Sequence, residues 1–184
     1  MVAITETGFT KDGMVTLEGY KKIVSNPRLR ENGSTVLQAG TAVWRKIDSD
    51  LKTNYSDEIN VEEGQIVQIG TNQGYNIIVI YRSPNQSKRG IKSLIEYVYK
   101  LEGECVIIGD LNMPDADWET GKVGGEGKNK NLKNRIEQEE LIEALKSNDR
   151  IQFVTEPTRK TETTESILDD NDRNEEQKGS NYRN

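Results

Sequence analysis

Histidine is absent from the 184 residues of this chain, and cysteine occurs once, at Cys105. Without histidine, Ser-His-Asp and Cys-His hydrolases are excluded and the commonest zinc ligand is missing. A lone cysteine closes no internal disulfide, which suits a reducing compartment. Aromatic residues are scarce at 6%, and hydrophobic residues make up 33% against 30% charged. Such a chain is expected to have a modest core with solvated segments beside it. No apolar run approaches the roughly 18 residues of a membrane span, and the N-terminus lacks a basic-then-apolar signal pattern. A soluble intracellular protein, in the nucleus or cytoplasm and with no membrane partner, is the expectation. Positive charge is not in excess either. The net charge is −6, whereas a purely electrostatic nucleic-acid binder is basic. An acidic enzyme can still meet phosphates through a metal ion, which supplies positive charge locally. Any catalysis must rest on carboxylates, Asn, Tyr, Lys or Arg, with a hard cation as the natural aid.

The length allows one domain with a sizeable core. Strand-like runs fall at Val2–Glu6, Tyr20–Ser25, Ser34–Lys46 (broken near Gly40), Gln65–Ile69 and Tyr75–Ser83. In the last, Ile77-Ile78-Val79-Ile80-Tyr81 is a continuous run of the kind buried on both faces. Ile91, Leu94, Ile95, Val98 and Leu101 lie on one helical face within Lys88–Leu101. A buried strand is expected at Glu104–Ile108, a flexible glycine-rich loop at Gly121–Lys130, a second helix at Leu132–Ser147 and a short strand at Ile151–Val154. Strands joined partly by helices predict a mixed α/β or α+β sheet fold. Residues 1–169 read as one domain. Beyond them, residues 170–184 are polar and pattern-free and are expected to be a disordered tail. The start inside a strand and the abrupt loss of pattern suggest a domain truncated at both ends.

The chemistry concentrates in Cys105-Val106-Ile107-Ile108-Gly109-Asp110-Leu111-Asn112. An apolar strand ends in a glycine and then presents a carboxylate and a carboxamide two residues apart. Open sheets place their sites at such strand ends, although Gly-Asp and Asn-Met-Pro also form ordinary turns. Glu6 follows the first strand, and Tyr81 closes the most apolar one. Taken singly, Glu6 reads as an exposed glutamate and Tyr81 as a half-buried aromatic with a wet hydroxyl. Lys122, Lys128, Lys130, Lys133 and Arg135 form a basic stretch, read alone as a solvated loop.

Several of these short patterns occur in a suggestive order. Ile4-Thr5-Glu6-Thr7 is followed by Ile80-Tyr81-Arg82-Ser83-Pro84 and by Ile108-Gly109-Asp110-Leu111-Asn112. Pro114-Asp115, Asp117-Trp118, Phe153-Val154, Glu156-Pro157-Thr158-Arg159 and Ile167-Leu168-Asp169 come after. In this order the chain resembles the endonuclease/exonuclease/phosphatase superfamily, and most closely its branch of endonuclease domains from non-LTR retrotransposons. The resemblance implies a four-layer αββα sandwich of the DNase-like type. It also implies phosphodiester hydrolysis dependent on Mg²⁺ or Mn²⁺, with DNA as partner. Carried over by position, Glu6 is the metal ligand and Asp110 orients or deprotonates the attacking water. Asn112 hydrogen-bonds the scissile phosphate, Tyr81 supports that phosphate or the leaving group, and Asp169 matches the acidic residue that orients a catalytic histidine.

Two parts of the family pattern have no counterpart. An Asn strand precedes the Glu strand in the family, and a Ser-Asp-His run closes its pattern. Three readings stay open: an active metal-dependent endonuclease, a remnant without turnover, and a nucleic-acid or protein binding module of the same fold. A phosphatase also remains compatible, because fold does not fix substrate.

Overall fold

The computed structural model describes residues 1–8, 15–26, 40–124 and 134–147, together with the backbone of the short strands β10 (Arg159–Lys160) and β11 (Glu165–Ser166). The strand and loop expected at Ile151–Val154 and 125–130, Asp169 and the polar tail lie outside the described residues.

The apolar run at Ile77–Tyr81 forms β6 (Asn76–Arg82), central in a four-stranded sheet. Its order is β4-β5-β6-β7, with β4 at Thr53–Val61, β5 at Gly64–Thr71 and β7 at Cys105–Asp110. β4, β5 and β6 run antiparallel in sequence, and β7 is parallel to β6. A parallel neighbour needs a crossover, and α1 (Lys88–Tyr99) supplies it. The helix starts where the Ser87 hydroxyl caps the Gly90 N–H at 3.1 Å. The Glu63 carboxylate, from the β4–β5 turn, accepts the Ser87 N–H.

Strand periodicity of two sends the residues of this sheet into two cores. Ile66, Ile78 and Ile80 face the helices and pack with Ile91, Leu94 and Val98 of α1 and with Leu141 and Ile142 of α2 (Arg135–Lys146). Val67, Ile69, Ile77 and Val79 face the other way and pack with Val24 and Val43. Those two belong to a three-stranded antiparallel sheet of order β1-β3-β2, with β1 at Val2–Thr5, β2 at Tyr20–Asn26 and β3 at Thr41–Lys46. The fold is therefore mixed α/β, two sheets sharing one core with helices over the outer face of the larger. A small hairpin, β8 (Ala116–Asp117) with β9 (Lys122–Val123), lies beside α2, so part of the expected 121–130 loop is strand.

Two features differ from the sequence expectation. β4 carries only a short apolar alternation, Ile59 and Val61, too brief to announce its nine residues. It is an edge strand whose register along β5 is set by backbone pairing, and its turn is Glu62-Glu63, with Glu63 at φ 57 in place of the usual Asn or Gly. β7 is not fully buried: Val106 is 47% and Ile108 38% exposed. It is the edge of its sheet among the described strands, and the strand facing it, β1, is also an edge.

The helices are joined by a 2.8 Å ion pair between Lys88 and Glu137. That hydrogen bond from Lys88 holds the Glu137 carboxyl below the usual range, and the Val123 backbone N–H does the same for Glu139. The folded pKa values are depressed, so their stabilisation is complete above the unfolded value near 4.5 and is lost as pH falls below it and through the lower folded values. Urea unfolding across the acid range should therefore show stability declining more gently below about pH 4.5 in Glu139→Gln than in the parent.

Candidate active site at the polar end of the inter-sheet core

The core between the two sheets is apolar along most of its length and turns polar at one end. On β5, β6 and β7, Gln65, Tyr81 and Asp110 stand in register in a row across three strands. From the smaller sheet, Thr41 opens β3 opposite Thr5, the last residue of β1, and Glu6 follows. Two hydrogen bonds cross between the sheets here. The Tyr81 hydroxyl donates to Glu6 Oε1 at 2.7 Å, and the Thr41 hydroxyl to Gln65 Oε1 at 3.3 Å. Thr41, Gln65 and Tyr81 are buried, whereas Glu6 and Asp110 are half-buried and reach the opening. Glu6 adopts φ 53, a left-handed conformation uncommon for a glutamate, as the chain leaves the sheet.

Gly109 explains how Asp110 comes to this row. Its φ is +136, and a Cβ there would overlap the carbonyl oxygen of Ile80, its partner on β6. Only glycine lets the two strands approach so closely. The chain then turns tightly. Asp110 Oδ1 accepts the Asn112 backbone N–H at 2.8 Å, an Asx-type turn, and Asn112 sits at φ 47.

Beneath the turn lies Arg82, 1% exposed. Its Nε donates to the Leu111 carbonyl at 2.5 Å, its Nη2 to the Asn112 carbonyl at 2.6 Å and its Nη1 to the Ser83 carbonyl at 3.3 Å. In return, Asn112 Nδ2 donates to the Arg82 carbonyl at 2.7 Å. Burial lowers the Arg82 pKa to about 10, opposed chiefly by the charge of Asp110, so the guanidinium stays cationic at neutral pH.

Of the residues singled out in the sequence, Glu6, Tyr81 and Asp110 are thus brought to one end of the inter-sheet core, with Asn112 on the adjoining turn. Asp169 lies outside the described residues. Asp117, from the same run, is exposed and structural. Its Oδ1 accepts the N–H groups of Thr120 and Glu119, both at 3.0 Å, and these bonds hold its carboxyl below the ordinary range. Sequence reasoning missed Thr41, Gln65 and Arg82. Gln65 had a signal: it shares the inward parity of Val67 and Ile69, so a polar group was aimed into an apolar core.

Carboxylate, hydroxyl and carboxamide groups form an oxygen donor set of the kind a hard divalent cation takes. Among the described residues, no three His, Cys, Asp or Glu side chains group as metal ligands. The protein would thus supply one or two carboxylates and leave the remaining positions to water and phosphate oxygens, an arrangement Mg²⁺ accepts readily.

Residues 75–175, more than half of the chain, match the protein-family model described as endonuclease-reverse transcriptase. The chain belongs to that family, and nuclease-type chemistry is the function class it suggests. The matched span begins just before β6 and takes in α1, β7, the Gly109–Asn112 turn and α2, and Glu6 precedes it. No curated protein matches the chain. No helix among the described residues is long and apolar enough to cross a membrane.

Gly109→Ala is expected to lower stability by at least about 2 kcal/mol, through backbone overlap and a disfavoured φ. Urea unfolding of parent and variant measures this, and an unchanged midpoint would contradict the close approach.

Proposed function

We propose that this chain hydrolyses phosphodiester bonds in DNA with the help of Mg²⁺ or Mn²⁺, as the endonuclease part of a retrotransposon-type protein. The observation that carries the reading is the convergence of Glu6, Tyr81 and Asp110 at one end of the inter-sheet core, beside the Asn112 turn. The architecture we infer is a four-layer αββα sandwich. Two sheets around one core, with helices over one outer face, support that architecture.

In this reading Glu6 holds the metal. The Tyr81 hydroxyl bonded to Glu6 Oε1 fixes the carboxylate, leaving the other oxygen as the ligand. A divalent ion so placed would offset negative charge building on the phosphoryl and leaving oxygens. Asp110, half-buried at the opening, orients a water for in-line attack and takes its proton. Asn112 is buried and its Nδ2 donates to the Arg82 carbonyl, so its amide braces the turn that presents Asp110 and is not itself offered to a phosphate oxygen.

A second reading is favoured by one observation: the chain contains no histidine. The family pattern to which the sequence is similar closes on a histidine central to the phosphate chemistry. Without it, the same site would bind metal and DNA with little or no turnover.

Nicking of supercoiled plasmid separates the two. The first reading expects nicking that requires Mg²⁺, stops with EDTA and falls at least about 100-fold in Asp110→Ala. Equal nicking by parent and Asp110→Ala would sink it. Metal-dependent DNA binding without nicking, lost in Glu6→Gln, would establish the second.

A further inference from the structure

Arg82 has no place in the site as the sequence presents it, yet its side chain is the most heavily engaged cation among the described residues. We propose that Arg82 is a positioning residue for the site, setting the geometry of the Asp110–Asn112 turn without touching substrate; the inference rests on the nuclease reading for its kinetic consequence.

The stereochemistry leads there directly. Leu111 and Asn112 supply successive carbonyls, and the Arg82 guanidinium binds both at once, through Nε and Nη2. Two fixed carbonyls on either side of one residue determine the orientation of both flanking peptide planes. Asn112 at φ 47 is the residue so held, in a left-handed conformation that asparagine tolerates better than most residues. The Asn112 side chain then closes the loop onto the Arg82 carbonyl. Asp110 is coupled to the same unit, because its Oδ1 accepts the Asn112 N–H.

Stability alone does not account for a guanidinium here. None of the ion pairs among the described residues involves Arg82; its charge is met by the three carbonyl dipoles, with the negative charge of Asp110 adding support. A buried cation so placed is commonly no more stable than an apolar side chain of like volume. What an apolar side chain cannot do is grip two carbonyls in one plane. Lysine cannot do it fully either, since its ammonium is a single point on a flexible stem. At 1% exposure, with all three nitrogens bonded to carbonyls, the guanidinium is not available to DNA. Its effect must therefore fall on the chemical step and not on binding.

The test uses the full chain as parent, Arg82→Lys and Arg82→Met, with thermal unfolding to confirm that each is folded. Two readouts are compared: plasmid nicking in Mg²⁺, resolved into kcat and KM for DNA, and hydrogen exchange at the backbone amides of Leu111–Met113. In Arg82→Met we expect kcat down by about 100-fold, KM within about twofold, and faster exchange at the turn with Val79 unaltered. Arg82→Lys should fall between parent and Arg82→Met in kcat. A folded Arg82→Met with parental exchange at the turn would overturn the proposal, as would a rise in KM at unchanged kcat. If Arg82→Met does not fold, Arg82→Lys decides: parental kcat and exchange in it would refute the two-carbonyl grip. If the parent itself does not nick DNA, the nuclease reading fails, while the exchange measurement still decides whether Arg82 holds the turn.

Discussion

Strand β6 is buried on both faces, and its alternation delivers two consecutive side chains to opposite sides of the sheet. Tyr81 goes to the inter-sheet core, where its hydroxyl meets Glu6. Arg82 goes to the helical side, where it grips the carbonyls of the turn that follows β7. The parallel register places Asp110 beside Tyr81, and Gly109 makes that register sterically possible. One strand thus connects residues from three distant parts of the chain. A slip of one residue in β6 would exchange the roles of its two faces and separate all of them.

The polar end of the core has a physical consequence. Most of the space between the sheets is filled by Val67, Ile69, Ile77, Val79, Val24 and Val43, which favour dryness and close packing. Thr41, Gln65, Tyr81, Glu6 and Asp110 at its mouth bring carboxylates to a place that is half-buried and bounded by apolar surface. Electrostatic interactions with a cation or phosphate are stronger there than in open water. In the nuclease reading proposed above, a cation held there would offset the net charge of −6 toward a phosphate substrate.

How much of this the sequence revealed depends on how each element is stabilised. β6 and α1 are held by buried apolar stripes, and both were legible from periodicity. The helix was expected over Lys88–Leu101 and is found at Lys88–Tyr99. β4, an edge among the described strands, is held mostly by backbone pairing with only Ile59 and Val61 packed on the core, too short a pattern to be legible. For β7 the apolar run showed a strand but not its exposure, which depends on which neighbours cover it. In the site, Glu6, Tyr81, Asp110 and Asn112 were singled out by the order of short motifs that resembles the nuclease family; taken singly, Glu6 and Tyr81 read as ordinary surface and half-buried residues. Arg82 could not be singled out, because an arginine at the end of a strand ordinarily reads as solvated, and only the three-dimensional path of the Leu111–Asn112 carbonyls shows what it binds.

The nuclease reading requires the mouth of the inter-sheet core to be a cation site. Anomalous diffraction from crystals of the full chain grown with Mn²⁺ measures this most directly. The account predicts an anomalous peak at coordination distance from a Glu6 carboxylate oxygen, with the Tyr81–Glu6 hydrogen bond in place and Asp110 facing the same opening. Ordered Mn²⁺ elsewhere on the protein, with none at Glu6, would contradict it.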